Sequence, residues 1–339
     1  MDNTAVSLID DNGNYQDYSV EEIHAKQMNK WKDWYCSAGI SSLYISHDGG
    51  VFNGNCLVGG YRGNIYDEQL FLNHSWIKCD RDICMCGSDI KLPKVKNKED
   101  IPKAQKRFLK ETLEWRKNKS IVIEPTKVMM NDHPNHLWRH HLQVIWDIGR
   151  RCNFSCSYCF PNSHNNYEAH KTYGSLMHGF DMLEKNFLLD RKCKFIFTGG
   201  EPTMNPNYLE FIKKLREKGH ISHTTTNGSR TKEYYEELLK NSSIGFSIHF
   251  DHINDDLIIE TISHLCKVKK QWGRSNWMGI RIMVPPQYIL RAKEFFNKIK
   301  LIDNIDLVSI TLGAIHQLNM LDLAEYKEED LKWIQENSI

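Results

Sequence analysis

The stretch Leu142-Gln-Val-Ile-Trp-Asp-Ile-Gly149, followed after Arg150-Arg151 by Cys152-Asn-Phe-Ser-Cys156-Ser-Tyr-Cys159, decides the fold. An apolar run of strand length ends at a glycine and opens into a loop with cysteines at C-x3-C-x2-C spacing. The same texture recurs downstream. Short apolar runs at LQVIWDIG (142–149), KFIFTGGE (194–201), ISHTTTNG (221–228), IGFSIHF (244–250), MGIRIMV (278–284) and LVSITLG (307–313) predict six strands. Amphipathic stretches between them predict helices over Ser175–Leu189, Pro206–Lys218, Thr231–Lys240, Asp255–Trp272 and Tyr288–Lys300. Strand–helix alternation implies parallel strands with right-handed crossovers, hence a partial or complete α/β barrel. Chemistry in such folds sits at the carboxyl ends of the strands. Gly149, Gly199-Gly200-Glu201, Asn227-Gly228 and His249 to Asp251 all fall there.

The remainder of the 339 residues constrains the class. Lys+Arg number 44 against 43 Asp+Glu, a formal net charge of +1. Near-neutrality argues against a nucleic-acid or anionic membrane partner, since either attracts a basic excess. No apolar run approaches the ~18 to 20 residues that cross a bilayer. Met1 to Gly13 is too acidic and polar for a secretory signal, so the expected location is cytoplasmic. In that reducing compartment clustered cysteines hold metal rather than form disulfides. The ten cysteines fall in two groups, Cys36, Cys56, Cys79, Cys84 and Cys86, then Cys152, Cys156 and Cys159, with Cys193 and Cys266 apart and read as structural. Two groups suggest two metal sites in two domains. The expected division is a cysteine-rich α+β domain over 1–90, a polar linker with an exposed helix near Ala104–Lys117 over 91–141, a core over 142–320, and a C-terminal helix over 321–339. In the first domain, Ser19 and Glu22 have capping-box spacing at the head of a helix running toward Trp34. Asp48-Gly49-Gly50 marks a β-hairpin turn. His133, His136, His140 and His141 lack a ligand spacing and read as surface or loop histidines.

Three thiolates on one short loop can hold three irons of a [4Fe–4S] cluster and leave the fourth open. Structural zinc, completed by His164, is the alternative. The turn Thr198-Gly-Gly-Glu-Pro202 separates the two readings. Glu201 and the exposed backbone of Gly199-Gly200 can take an α-ammonium group, a partner that a zinc knuckle does not need. C-x3-C-x-aromatic-C followed about forty residues later by GGEP resembles the radical SAM superfamily, over Leu142 to about Gly313. The resemblance implies a partial (β/α)6 TIM-like barrel in which Cys152, Cys156 and Cys159 bind a [4Fe–4S] cluster. S-adenosylmethionine (SAM) chelates its open iron and yields a 5′-deoxyadenosyl radical that abstracts hydrogen from substrate. It also implies cofactor contacts from Tyr158 on the adenine side, from Gly199, Gly200, Glu201 and Pro202 at the amino-acid end, and from Thr226, Asn227 and Ser247 to ribose and carboxylate. Arg281 would pair with a carboxylate of SAM or substrate. Tyr158 can equally be a packed loop aromatic, and Asn227-Gly228 only a turn. His249 shares a face with Ser247, either lining a substrate cavity or bonded in the core.

Cys36-Ser-Ala-Gly39, the Leu43–Val51 segment with its Asp-Gly turn, Cys56 and Gly63-Asn-Ile65 resemble the auxiliary-cluster segments called SPASM and twitch domains. Those domains usually follow the radical SAM core, whereas this one precedes it. The resemblance implies one auxiliary [4Fe–4S] cluster, two clusters in all, bound by Cys36, Cys56 and two of Cys79, Cys84 and Cys86. A zinc site on the hairpin is the alternative. The implied reaction is oxidation of a small-molecule, sugar or peptide substrate, with a donor such as flavodoxin or ferredoxin. The alternatives are an epimerase or peptide-modifying (RiPP) maturase and, in another class, a non-catalytic Fe–S or zinc protein. Nothing like a winged-helix leader-binding domain is evident near the N-terminus, which favours a small molecule or sugar.

Overall fold

The computed structural model describes residues 6–9, 15–67, 69–72, 75–102, 142–159, 165–189, 191–273, 276–315 and 324–337. The expected helix near Ala104–Lys117, the four histidines of 133–141 and His164 lie outside these residues. The chain forms two compact units, Asp2–Trp146 with Gly174–Phe195, and Asp147–Tyr173 with Ile196–Ile339.

In the first unit, β1 (Val6–Ile9) and β2 (Tyr15–Tyr18) form an antiparallel ribbon. Helix α1 (Val20–Ala25) begins with the expected capping box. The Glu22 N–H donates to the Ser19 hydroxyl at 3.1 Å and the Ser19 N–H donates to the Glu22 carboxylate at 2.7 Å. The helix does not reach Trp34. Gln27 takes a left-handed φ of 52°, and the chain turns inward so that Asn29 can pin a cysteine loop. The Asn29 amide donates to the Cys84 carbonyl at 3.0 Å, and the Cys84 N–H donates to the Asn29 carbonyl at 2.9 Å. Tertiary bonding overrides the local helical pattern here.

Strand β3 (Tyr35–Cys36) lies between two later strands of an antiparallel sheet. β4 (Ser42–Ile45) and β5 (Gly50–Phe52) form the expected hairpin. Gly49 turns it with φ 93°, where a Cβ would strike the Tyr66 ring at 2.4 Å. β6 (Tyr61–Asn64) extends the hairpin, while β7 (Ile77–Lys78) and β8 (Lys94–Val95) flank β3, with the short α2 (Gly87–Ile90) between them in sequence. β9 (Leu142–Asp147) runs parallel to β4, Ser42 opposite Gln143 through Ile45 opposite Trp146. Helix α3 (Tyr173–Leu183) continues through a π-helical turn to Leu188.

The second unit carries the βα repeat. After β10 (Cys193–Thr198), whose residues are divided between the units, come α4 (Tyr208–Glu217), β11 (Ile221–Thr226), α5 (Lys232–Asn241), β12 (Ser243–Ile248) and α6 (Asp255–Trp272). They are followed by β13 (Met278–Val284), α7 (Ile289–Lys300), β14 (Ser309–Ala314) and α8 (Glu328–Glu336). β11 to β14 pair in parallel in sequence order. The fold class is the expected α/β type with a parallel sheet, in the element order of a partial (β/α)6 TIM-like barrel. Alternation gives the sheet two unlike faces. Phe246, Ile248, Ile280, Ile282 and Leu312 are buried together with helix residues such as Leu238, Ile262 and Phe295. Each such side chain contributes about 1.5–3 kcal/mol. The opposite face is polar, with Thr225, Ser247, Arg281 and Thr311, and the register sets Ser247, Arg281 and Thr311 side by side on β12, β13 and β14.

Candidate active site and the cysteine-rich nest

The end of β10 explains its two glycines. Gly199 has φ 120°, and a Cβ there would lie 2.4 Å from the Gly149 carbonyl oxygen. A Cβ on Gly200 would lie 2.3 Å from the Arg151 oxygen. The Gly200 N–H donates to the Gly149 carbonyl at 2.8 Å and the Glu201 N–H to the Arg151 carbonyl at 2.7 Å. The turn is thus laid backbone to backbone against the segment that launches the cysteine loop. Glu201 is 3% exposed and joins two strand ends. Its carboxylate accepts from the Thr203 N–H (3.0 Å) and hydroxyl (2.6 Å), the Thr226 hydroxyl (2.8 Å) and the Asn227 N–H (2.6 Å). Burial pushes its carboxyl up from the usual range, and these bonds oppose the rise. Pro202 opens a short 3-10 turn that Glu201 caps.

The same corner reaches the loop. The Asn227 amide donates to the Asn153 carbonyl oxygen of its side chain at 2.9 Å and to the Cys152 sulfur at 3.9 Å, and the Phe154 N–H donates to that sulfur at 3.4 Å. The Tyr158 hydroxyl shares a 2.9 Å hydrogen bond with His249 Nδ1, and the two rings stack at 5.7 Å. Desolvation holds His249 down at about 4, so its imidazole is neutral near pH 7. Glu201, Thr226, Asn227 and the three cysteines therefore converge, whereas Ser247 and Arg281 stand on the neighbouring polar face.

Two residues at this corner escaped the sequence reading of binding roles, Asp251 and His252. The Asp251 carboxylate accepts from the Ser157 N–H at 2.7 Å and hydroxyl at 2.9 Å. The Ser155 N–H donates to His252 Nε2 at 3.0 Å. Donor atoms of Cys156, Asp251 and His252 lie within 4.8 Å of one another. Burial, then Asp251, then the other two thiols push Cys156 up to about 12, and burial raises Cys152 as well. Three half-buried thiols on one loop, within electrostatic reach of one another and with N–H groups aimed at sulfur, fit a cluster bound by three thiolates. Metal must then displace protons to bind.

The first unit gathers the other five cysteines. Cys36 sits on β3, Cys79 follows β7, Cys86 caps α2, and Cys56 follows β5. Electrostatic effects connect Cys36 with Cys79 and Cys84, and Cys84 with Cys56 and Cys86, so all five share one neighbourhood. Asp89, 1% exposed, accepts from the Cys56 N–H at 2.7 Å and the Asn55 N–H at 3.3 Å. The Asn55 amide donates to the Cys86 sulfur at 3.2 Å. The Lys94 ammonium donates to the carbonyls of Asp89 (2.5 Å), Leu92 (3.1 Å) and Ile90 (3.3 Å), and stands 4.7 Å from the Trp31 ring centroid. Burial raises Cys36, raises Cys84 to about 12 and raises Cys56 further; Lys94 opposes the first two shifts, and Asp89 adds to all three. This donor set of five thiols fits a thiolate-bound metal centre.

The family model of the radical SAM superfamily matches residues 146–283. A Methanocaldococcus jannaschii protein named as a glycyl-radical enzyme activating enzyme is 26% identical over 189 residues, 53% of this chain and 70% of that one. The cysteine-type anaerobic sulfatase-maturating enzyme of Clostridium perfringens is 26% identical over 196 residues, 54% of this chain and 48% of that one. The crystal structure of Streptococcus suis SuiB bound to precursor peptide SuiA matches over 91% of this chain and 68% of that chain, at 14% identity and a TM-score of 0.44. The chain spans about half or less of the length of most curated relatives it matches. With the C-x3-C-x2-C loop docked on the GGEP turn at the carboxyl ends of parallel strands, residues 146–283 form the part of the chain that matches the radical SAM superfamily.

Proposed function

We propose that the chain is a cytoplasmic radical SAM oxidoreductase acting on a small-molecule, sugar or peptide substrate, with one auxiliary [4Fe–4S] cluster in its cysteine-rich region. The observation that carries the reading is the convergence of Cys152, Cys156 and Cys159 with the Gly199–Glu201 turn within one unit. Bound there, a [4Fe–4S] cluster with SAM would supply one-electron cleavage of SAM to methionine and a 5′-deoxyadenosyl radical. Cys152, Cys156 and Cys159 would be its protein ligands. Tyr158, oriented by His249, would face the adenine, and the turn Gly199–Pro202 with Thr226 and Asn227 would receive the amino-acid and ribose parts. Because the Glu201 carboxylate already accepts four hydrogen bonds, its service to an ammonium group is largely to hold this corner rigid. Ser247 and Arg281, with Thr311, would line the polar face toward cofactor carboxylate or substrate.

Oxidation is favoured by the second thiol nest, where Cys36, Cys56 and two of Cys79, Cys84 and Cys86 would hold a centre able to take up an electron. Epimerisation needs a thiol to return hydrogen, and Cys193 and Cys266 are both fully buried. The sulfatase-maturating relative is named for a protein target, which keeps peptides within the substrate class. Residues 1–90 would form the auxiliary module and 142–320 the catalytic core, reduced by flavodoxin or ferredoxin. Reconstituted anaerobically with iron, sulfide, SAM and dithionite, the full chain is expected to form 5′-deoxyadenosine. Persistence of that product after Cys152→Ala, Cys156→Ala or Cys159→Ala would overturn the assignment.

A further inference from the structure

The turn after β12 touches each of the residues 154 to 158 of the cysteine loop. The His252 ring stacks on Phe154 at 5.1 Å and accepts the Ser155 N–H, Asp251 lies within 4.8 Å of the Cys156 sulfur and accepts twice from Ser157, and His249 bonds Tyr158. The turn is itself braced from behind. The Arg291 guanidinium donates to the carbonyls of Phe250 (2.8 Å) and Ile253 (3.0 Å) and pairs with Asp255 at 2.8 Å. The Phe250 ring, 1% exposed, packs edge-on against Phe295 at 5.6 Å. A rigid platform therefore holds a loop that has little regular backbone pairing of its own. The platform also brings a specific charge. The Asp251 carboxylate lies within 4.8 Å of the Cys156 sulfur, close enough for its charge to disfavour added negative charge there.

We infer that the His249–His252 turn is the positioning element of the cysteine loop and that Asp251 sets the reducing power of the cluster held there. The inference rests on the proposed cluster at Cys152, Cys156 and Cys159. A fixed negative charge beside one ligand sulfur raises the energy of the state with one more electron, so the reduced cluster becomes a stronger donor. Asp251 is thus a positioning residue with an electronic consequence, and a purely mechanical role would not change a potential.

The test is a redox titration of the anaerobically reconstituted full chain, monitored by electron paramagnetic resonance on the signal that changes when SAM is added. Asp251→Asn keeps an oxygen for Ser157 and removes the charge. Its expected effect is a rise of about tenfold in the reduced-to-oxidised ratio at fixed poise, ~59 mV for a one-electron couple. The titration reads only loaded protein, so partial iron loss does not hide the shift. Ser155→Asp adds a carboxylate on the same loop and should move the midpoint the other way, by less because Ser155 is exposed. His252→Ala should lose iron faster on gel filtration and leave the midpoint in place. Unmoved midpoints in both Asp251→Asn and Ser155→Asp overturn the electronic inference, and unchanged iron retention in His252→Ala overturns the positioning role. If no SAM-responsive signal forms in the unaltered chain, the cluster assignment itself has failed instead.

Discussion

The two cysteine groups are built in opposite ways. The loop of Cys152, Cys156 and Cys159 is half-exposed at strand ends, and side chains from other segments hold it: Asn227, His249, Asp251 and His252. In the nest, Cys36, Cys79 and Cys84 are buried, with β3 between β7 and β8 and the Asn29–Cys84 pair of bonds, while the half-buried Cys56 and Cys86 are held by Asp89 and Asn55. Their charges differ too. Carboxylates act on the loop thiols, whereas the nest has both Asp89 and an ammonium, Lys94, fixed by three carbonyls. An open, side-chain-supported loop suits a centre that must exchange ligands. A closed nest with a balancing cation suits one that keeps its ligands and takes up charge.

The contrast can be broken most severely at the cysteines. Replacing any of Cys152, Cys156 and Cys159 by Ala should abolish 5′-deoxyadenosine formation, whereas Cys36→Ala or Cys56→Ala should leave SAM cleavage and stop substrate turnover. Product assays on both sets check the division of labour. Equal loss of cleavage in both would erase it. Next in size is Gly200→Ala, whose Cβ would meet the Arg151 and Arg150 oxygens at 2.3 and 2.5 Å. Backbone cannot yield as a flexible side chain can, so thermal unfolding should show a loss of ~1–3 kcal/mol, together with weaker SAM binding by calorimetry.

Glu201→Gln should cost about 1–3 kcal/mol by leaving a donor facing donors in a buried site, and should weaken SAM binding. Unchanged SAM affinity in a folded variant would remove the role assigned to that corner. Lys94→Met is expected to act only on the nest, lowering its iron retention without altering SAM binding. The smallest effect concerns His249. Its folded value of about 4 lies below its ordinary 6.5, so its contribution is complete above pH 6.5 and is lost as pH falls toward 4. His249→Gln should flatten the acid side of the stability profile by at most about 1.36 kcal/mol per pH unit, measured by urea unfolding at several pH values.

The βα repeat was legible because hydrophobic period survives any tertiary detail: α6 occupies the expected Asp255–Trp272, and α4, α5 and α7 agree with expectation to within two residues at either end. The failure at α1 has the reverse cause, a long-range pair of bonds from Asn29 to Cys84 that no local pattern encodes. At the site, the cysteines and the GGEP turn were readable because their chemistry is written in spacing. The glycines carried a second reason, the close approach to the Gly149 and Arg151 carbonyls, visible only once the strands are side by side. Asp251 and His252 meet the loop across more than ninety residues of chain, and Asp89 meets Cys56 across more than thirty. Such partners leave no periodic trace in a single sequence.

The most direct measurement is iron, sulfide and zinc per chain after strictly anaerobic purification and reconstitution, in the unaltered protein and with Cys152, Cys156 and Cys159 all changed to Ala. About eight irons are expected to fall to about four, one [4Fe–4S] cluster lost and the nest still loaded. About four irons with one zinc in the unaltered chain, or an iron content that does not fall in the triple variant, would contradict it.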